Sequence, residues 1–257
     1  MGSRSVRIHT QRAVGGLAAG AKAVYSIPLM MEDIVKILED RLGRIYARQR
    51  LGIENDHQAK IFGGGMNFFH IENWYSSHFL IRNALILAGM YGRGRRNSER
   101  IQVRHNPVRM EGLPSCFDGY TLLHISDMHV DMNGGAMRRL IGLLHEIDYD
   151  VCVLTGDYRG QTHGSFDDTL KGLEQVRAHL TTPVYGVLGN HDSIRMVPGL
   201  ERMGIRMLLN EAITIEREKA RLHLVGIDDA HYFRVDNIEK AASRVPHDEF
   251  SILSTRK

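Results

Sequence analysis

From about Ile101 onward the apolar residues fall into short runs separated by longer, helix-spaced repeats. Residues 101–108 alternate apolar and polar positions at their start and predict a strand; a loop over 112–119 containing Pro114 follows, and residues 120–125 form a second, more continuously apolar strand. Met137, Leu140, Ile141, Leu144 and Ile147 then recur at the three-and-four spacing of one helix face. The strand 151–154 comes next, then a helix with Phe166, Leu170, Leu173, Val176 and Leu180 on one side, with Ser165 and Asp168 resembling a capping pair at its start, and then the strand 184–188. This β-α-β-α-β order predicts an α/β fold of mainly parallel strands covered by helices. Further on, Pro198 suits the first turn of a short helix and Gly204 its end; residues 212–216 and 222–226 predict a hairpin around the charged turn 217–221. Residues 237–244 predict a helix, and 250–253 begin a last strand.

The first hundred residues have a different texture. Glu32 and Asp33 precede Ile34, Ile37, Leu38, Leu42 and Ile45, which is helical spacing with acids at the positive end of the helix dipole. Gly63-Gly64-Gly65 lacks the Gly-Lys-Ser/Thr ending of a phosphate loop and reads as a flexible turn. It opens a stretch with Phe68, Phe69, Trp74, Tyr75 and Phe79, then an apolar helix ending near Tyr91 and a basic loop over 93–96. Two readings fit residues 74–96: packing on the chain's own domain, or peripheral contact with a membrane, apolar side inward and guanidinium groups on headgroup phosphates. No acid precedes Glu32, whereas Arg4, Arg7, Arg12 and Lys22 do, so the start reads as a basic arm. The expected division is an N-terminal extension over 1–100, basic arm plus helices, and an α/β domain over 101–257.

A chain of 257 residues with 43% hydrophobic and 25% charged residues is neither wholly disordered nor a polytopic membrane protein. Cys116 and Cys152 make no disulfide framework, and a reducing compartment fits them best. No secretory signal or membrane span is evident, since 13–21 has little bulk and 79–91 is broken by Arg82 and short of the roughly 20 residues that cross a bilayer. The expected location is cytoplasmic or peripheral to the cytoplasmic membrane. No basic groove lined with aromatics stands out, so no nucleic-acid partner is expected.

The chemistry lies directly after three of the apolar runs, as Asp127-Met128-His129, Gly156-Asp157 and Gly189-Asn190-His191-Asp192. In parallel sheets functional groups gather at the carboxyl ends of strands. Carboxylate, imidazole and amide oxygen suit divalent ions such as Mn²⁺, Fe²⁺ or Zn²⁺, and the lack of thiolates disfavours a structural zinc site. Any one motif is ordinary turn chemistry; three in order at strand ends are not.

These residues resemble the calcineurin-like metallophosphoesterase family, whose pattern is Asp-x-His, Gly-Asp, then Gly-Asn-His-Asp/Glu. Leu113-Pro114 with Phe117-Asp118-Gly119, and Gly226-Ile227-Asp228-Asp229, are similar to its YaeI-like, often membrane-associated bacterial branch. The resemblance implies a sandwich of two β-sheets flanked by helices over roughly 101–253. It implies a hydrolase of phosphate esters that uses a two-metal-activated hydroxide. Asp127 and His129 would hold one ion, Asp157 both, and Asn190 the second; His191 would be the general acid, with Asp192 orienting its ring. The family pattern continues with a histidine after the strand that begins at Phe250 and then Gly-His-x-His, where this sequence reads Ser254-Thr255-Arg256-Lys257. The resemblance therefore implies a domain incomplete at its C-terminal end and a weakly held second ion. The alternative is a catalytically impaired, truncated family member that binds a membrane or partner. His163 and His231 are the histidines placed to substitute as ligands.

Overall fold

A computed structural model describes residues 4–12, 31–62 and 75–256. Six strands form the main sheet: β1 (Arg4–Arg12), β2 (Arg104–Met110), β3 (Thr121–Ser126), β4 (Val151–Thr155), β5 (Val184–Val187) and β6 (Ile205–Met207), in the order β2-β1-β3-β4-β5-β6. β1 and β2 are antiparallel and every other pair is parallel. The second sheet holds β7 (Glu211–Arg217), β8 (Ala220–Gly226) and β9 (Phe250–Ser254), with β7 antiparallel and β9 parallel to β8.

Successive residues of a strand face opposite ways, and the two cores follow from that alternation. Leu122, Val151, Val153 and Val187 face the second sheet and pack with Ile213, Leu222 and Leu224 in one cluster. Leu123, Ile125, Cys152 and Leu154 face the helices. There they meet α1 (Met31–Leu42), α2 (Arg44–Phe62), α5 (Gly134–Leu144), α6 (Asp167–Arg177) and α7 (Val197–Arg202), through Leu38, Leu51, Leu140, Leu173 and Leu200 among others. β4 is buried at all five positions, as a strand covered on both faces must be, so its apolar run is unbroken. Burying each such leucine contributes roughly 1.5–3 kcal/mol. α3 (Tyr75–Leu87) and α4 (Tyr91–Ser98) stand together, and α8 (Ile238–Ala242) is capped by Asn237, whose side chain accepts from the Lys240 N–H.

The predicted α/β alternation, the hairpin and the last strand are all present, and several local expectations need correction. The stretch read as a basic arm contains β1, inserted between β2 and β3; its alternation was masked by its arginines. Residues 93–96, read as a loop, lie in α4. Ser165 does not pair with Asp168: its hydroxyl accepts from the Asp167 N–H and donates to the Asp167 carboxylate, a turn closed one residue earlier. The triple glycine at 63–65 and the aromatics Phe68, Phe69 and Trp74 lie outside the described residues. α1 and α2 share the main core with the strands of the sheet.

Candidate metal centre

β3, β4 and β5 end side by side, and the three motifs leave from those ends. The first two loops are laced together beyond the strands: the N–H groups of Asp127, His129 and Val130 donate to the carbonyls of Gly156, Asp157 and Tyr158 at 3.3, 3.0 and 2.9 Å. The lacing forces an unusual backbone. Asp127, His129 and Asp157 have φ of 54°, 38° and 54°, in the left-handed region that side chains avoid at about 1–3 kcal/mol each. Such strain persists where surrounding structure over-determines it, and here it falls on three of the residues expected to hold metal. Gly156, at φ 77°, also lets the third loop close in, since a Cβ there would lie 2.3 Å from the Gly189 nitrogen.

The result is a tight donor set. One ligand atom each from Asp127, His129 and Asp157 lies within 4.8 Å of the others. Both carboxylates are buried, Asp157 to 2% exposure. His129 Nδ1 lies 2.6 Å from the Arg159 carbonyl, which can only accept, so Nδ1 carries the proton and Nε2 keeps its lone pair for a metal. The Ser126 hydroxyl donates to Asp127.

Asn190 sits in the third loop, whose His191 N–H donates to Asp157 Oδ1 at 3.3 Å, so this turn lies against the same carboxylate. The His191 ring is 5.0 Å from that of His129, centroid to centroid, and its Nδ1 is 3.1 Å from the Gly160 carbonyl. That contact holds the ring at Nδ1. Asp192 is fully buried, and its carboxylate accepts the N–H groups of Asp157, Gly189 and Tyr158 at 2.8, 2.8 and 2.9 Å. It ties the second and third loops together through their backbones. Burial, and then the charge of Asp157, push its pKa up to about 7 against the pull of those N–H groups.

A further group was not foreseen from sequence. The guanidinium of Arg256 lies between the two acids, Nε and Nη2 donating to Asp157 Oδ2 at 2.9 and 2.6 Å and Nη2 to Asp127 Oδ1 at 2.5 Å. An internal cation thus stands where the donor set calls for positive charge, so the residues present fit one. A lone arginine after a strand carries no sequence signal of that kind. Among the described residues the candidate ligand group contains Asp127, His129 and Asp157, and neither His163 nor His231 joins it.

Comparison with known proteins agrees with this geometry. Residues 120–245 match the calcineurin-like phosphoesterase family model, so this segment is a domain of that family. It is 27% identical over 158 residues to the uncharacterized metallophosphoesterase YkoQ of Bacillus subtilis (strain 168), covering 56% of each chain. It is 30% identical over 132 residues to a transmembrane protein with metallophosphoesterase domain from Danio rerio, covering 48% of this chain and 30% of that protein. The matched segments thus span about half or less of these relatives' length.

Proposed function

We propose that this domain hydrolyses phosphate esters with the help of two divalent ions. The observation that carries the reading is the convergence of Asp127, His129 and Asp157 ligand atoms within 4.8 Å, beside the ring of His191. When bound, such ions supply positive charge to the phosphoryl oxygens and make water acidic enough to ionise near neutral pH. Asp127 and His129 would hold the first, Asp157 would serve both, and Asn190 would contribute its amide oxygen to the second. His191, with Nδ1 held on the Gly160 carbonyl, presents Nε2 to protonate the departing alkoxide. Asp192 keeps Asp157 and the Asn190 turn in fixed relation.

The test is release of nitrophenol from bis-(p-nitrophenyl) phosphate with Mn²⁺, Fe²⁺ or Zn²⁺. Metal-dependent release that falls roughly 10²–10⁴-fold in His191→Gln supports the assignment. No release with any of the ions, or full activity in Asp157→Asn, contradicts it.

The position of Arg256 favours a second reading, a chain whose acids are neutralised internally and which acts by binding. Residues 75–98 are where a membrane would be met. Leu80, Ile81, Ile86, Leu87 and Met90 are exposed, Arg82, Arg93, Arg95 and Arg96 flank them, and the segment carries no acid. Among the described residues no helix is long and apolar enough to cross a membrane, so the contact proposed is peripheral.

A further inference from the structure

α2 places an arginine and a glutamate, one helical turn apart, directly behind the turn that carries Asn190 and His191. Arg50 is wholly buried and Glu54 is 4% exposed. Charged side chains are almost never buried this deeply unless their polar atoms are engaged, and here they are. The Glu54 carboxylate accepts from Arg50 Nη1 at 2.6 Å, the Ser193 hydroxyl at 2.6 Å, the Ile194 N–H at 2.7 Å and Arg195 Nη1 at 2.8 Å. Arg50 reaches on to the Asp192 carbonyl at 3.3 Å and Asp228 Oδ2 at 3.2 Å, with its guanidinium 3.3 Å from the centre of the Phe233 ring. Asp228 also accepts from the Tyr46 hydroxyl. Two cations, the buried Arg50 and the partly buried Arg195, thus balance two buried anions, Glu54 and Asp228.

The direction of these bonds matters more than their number. Glu54 caps the short helix that begins at Ile194, immediately after the motif, and Arg50 holds the carbonyl of the motif's last residue. The Asp192 side chain in turn holds the N–H of Asp157. From α2 to Asp157 the chain of contacts is continuous, and every link is a hydrogen bond. A purely structural anchor of α1 and α2 would need only their apolar face, which Leu38, Leu42, Ala47 and Leu51 already supply.

We infer that Arg50 and Glu54 are positioning residues for the metal centre: α2 fixes the Asn190 turn against Asp157, so that the site is complete only with this helix in place. The inference rests on the metal reading proposed above. It makes residues 44–62 part of the functional unit, although the family match begins at residue 120.

The experiment is calorimetric titration of the full chain with Mn²⁺, comparing wild type, Glu54→Gln, Asn190→Ala and the double variant. Glu54→Gln is expected to weaken binding about 10–100-fold, as losing an outer support of a metal ligand does. Because Glu54 acts through Asn190, the double variant is expected to bind no more weakly than Asn190→Ala alone. Unchanged affinity in Glu54→Gln, with or without a lower melting temperature, overturns the inference, as do additive losses in the double variant. Should Glu54→Gln fail to fold by circular dichroism, Ser193→Ala removes one bond to Glu54, and a several-fold loss that vanishes in the Asn190→Ala background is the expected result; no loss overturns the inference. A wild-type chain that binds no ion removes the metal reading itself, and this inference with it.

Discussion

The Arg256 guanidinium grips Asp157 through two nitrogens, Nε at 2.9 Å and Nη2 at 2.6 Å from the same carboxylate oxygen, while Nη2 also reaches Asp127. Two buried carboxylates this close repel each other, and the guanidinium relieves that repulsion as an ion would. On the proposed metal reading, arginine and ion compete for one place. Arg256→Ala is expected to tighten Mn²⁺ binding by about tenfold, the gain that follows if the competent state is populated near one-tenth in the parent. Weaker binding in the variant would show that Arg256 supports the ion instead of opposing it.

Gly156 stands at the crossing of two ligand loops. Its φ is 77° and a methyl group added there would lie only 2.3 Å from the Gly189 backbone nitrogen, so Gly156→Ala meets both a torsional and a steric penalty. The expected loss is about 2–5 kcal/mol, combining the left-handed conformation with overpacking. Urea unfolding measures it, and a change under about 1 kcal/mol, close to what a surface substitution gives, would mean the loops are looser than described.

Stability should depend on pH through two groups of opposite sign. Burial holds the His124 imidazole below its ordinary 6.5, against a weaker pull from Asp127, and its Nε2 lies 2.6 Å from the Thr155 hydroxyl. The unfolded chain takes up the proton first, so this contribution is present above pH 6.5 and is lost as pH falls below it. Asp192, raised from 3.8 to about 7, contributes below 3.8 and loses that contribution as pH rises through 7. Replacing His124 isolates the first. Between about pH 5 and 6.5 the wild-type unfolding free energy from urea titration should fall more steeply with acid than that of His124→Gln, by up to roughly 1 kcal/mol per pH unit. Parallel slopes would contradict the assignment.

The ligand loops were legible because the strands before them are buried on both faces: Val151 to Leu154 and the run before Asp127 show apolar character that stops where the chemistry starts. α2 was not legible, and the reason is physical. Its inward positions include Arg50 and Glu54, so the side that faces the protein carries charge and the apolar repeat that announces a helix is absent. Ile45, which sequence spacing assigns to the inward stripe of the first helix, lies in the first turn of α2 instead and is 85% exposed, because the helix breaks at Gly43, whose φ is 87°. The role of Asp192 was half visible: its place beside His191 suggested a partner for the ring, whereas burial directs it to three backbone N–H groups. Arg256 was invisible, since its meaning lies in where β9 delivers it.

The most direct measurement is metal content. After loading with Mn²⁺ and exhaustive dialysis, the wild-type chain is expected to retain near-stoichiometric metal, measured by plasma mass spectrometry, and Asp157→Asn to retain none. A wild-type chain that emerges metal-free, or an Asp157→Asn chain that retains as much as the parent, would contradict the account.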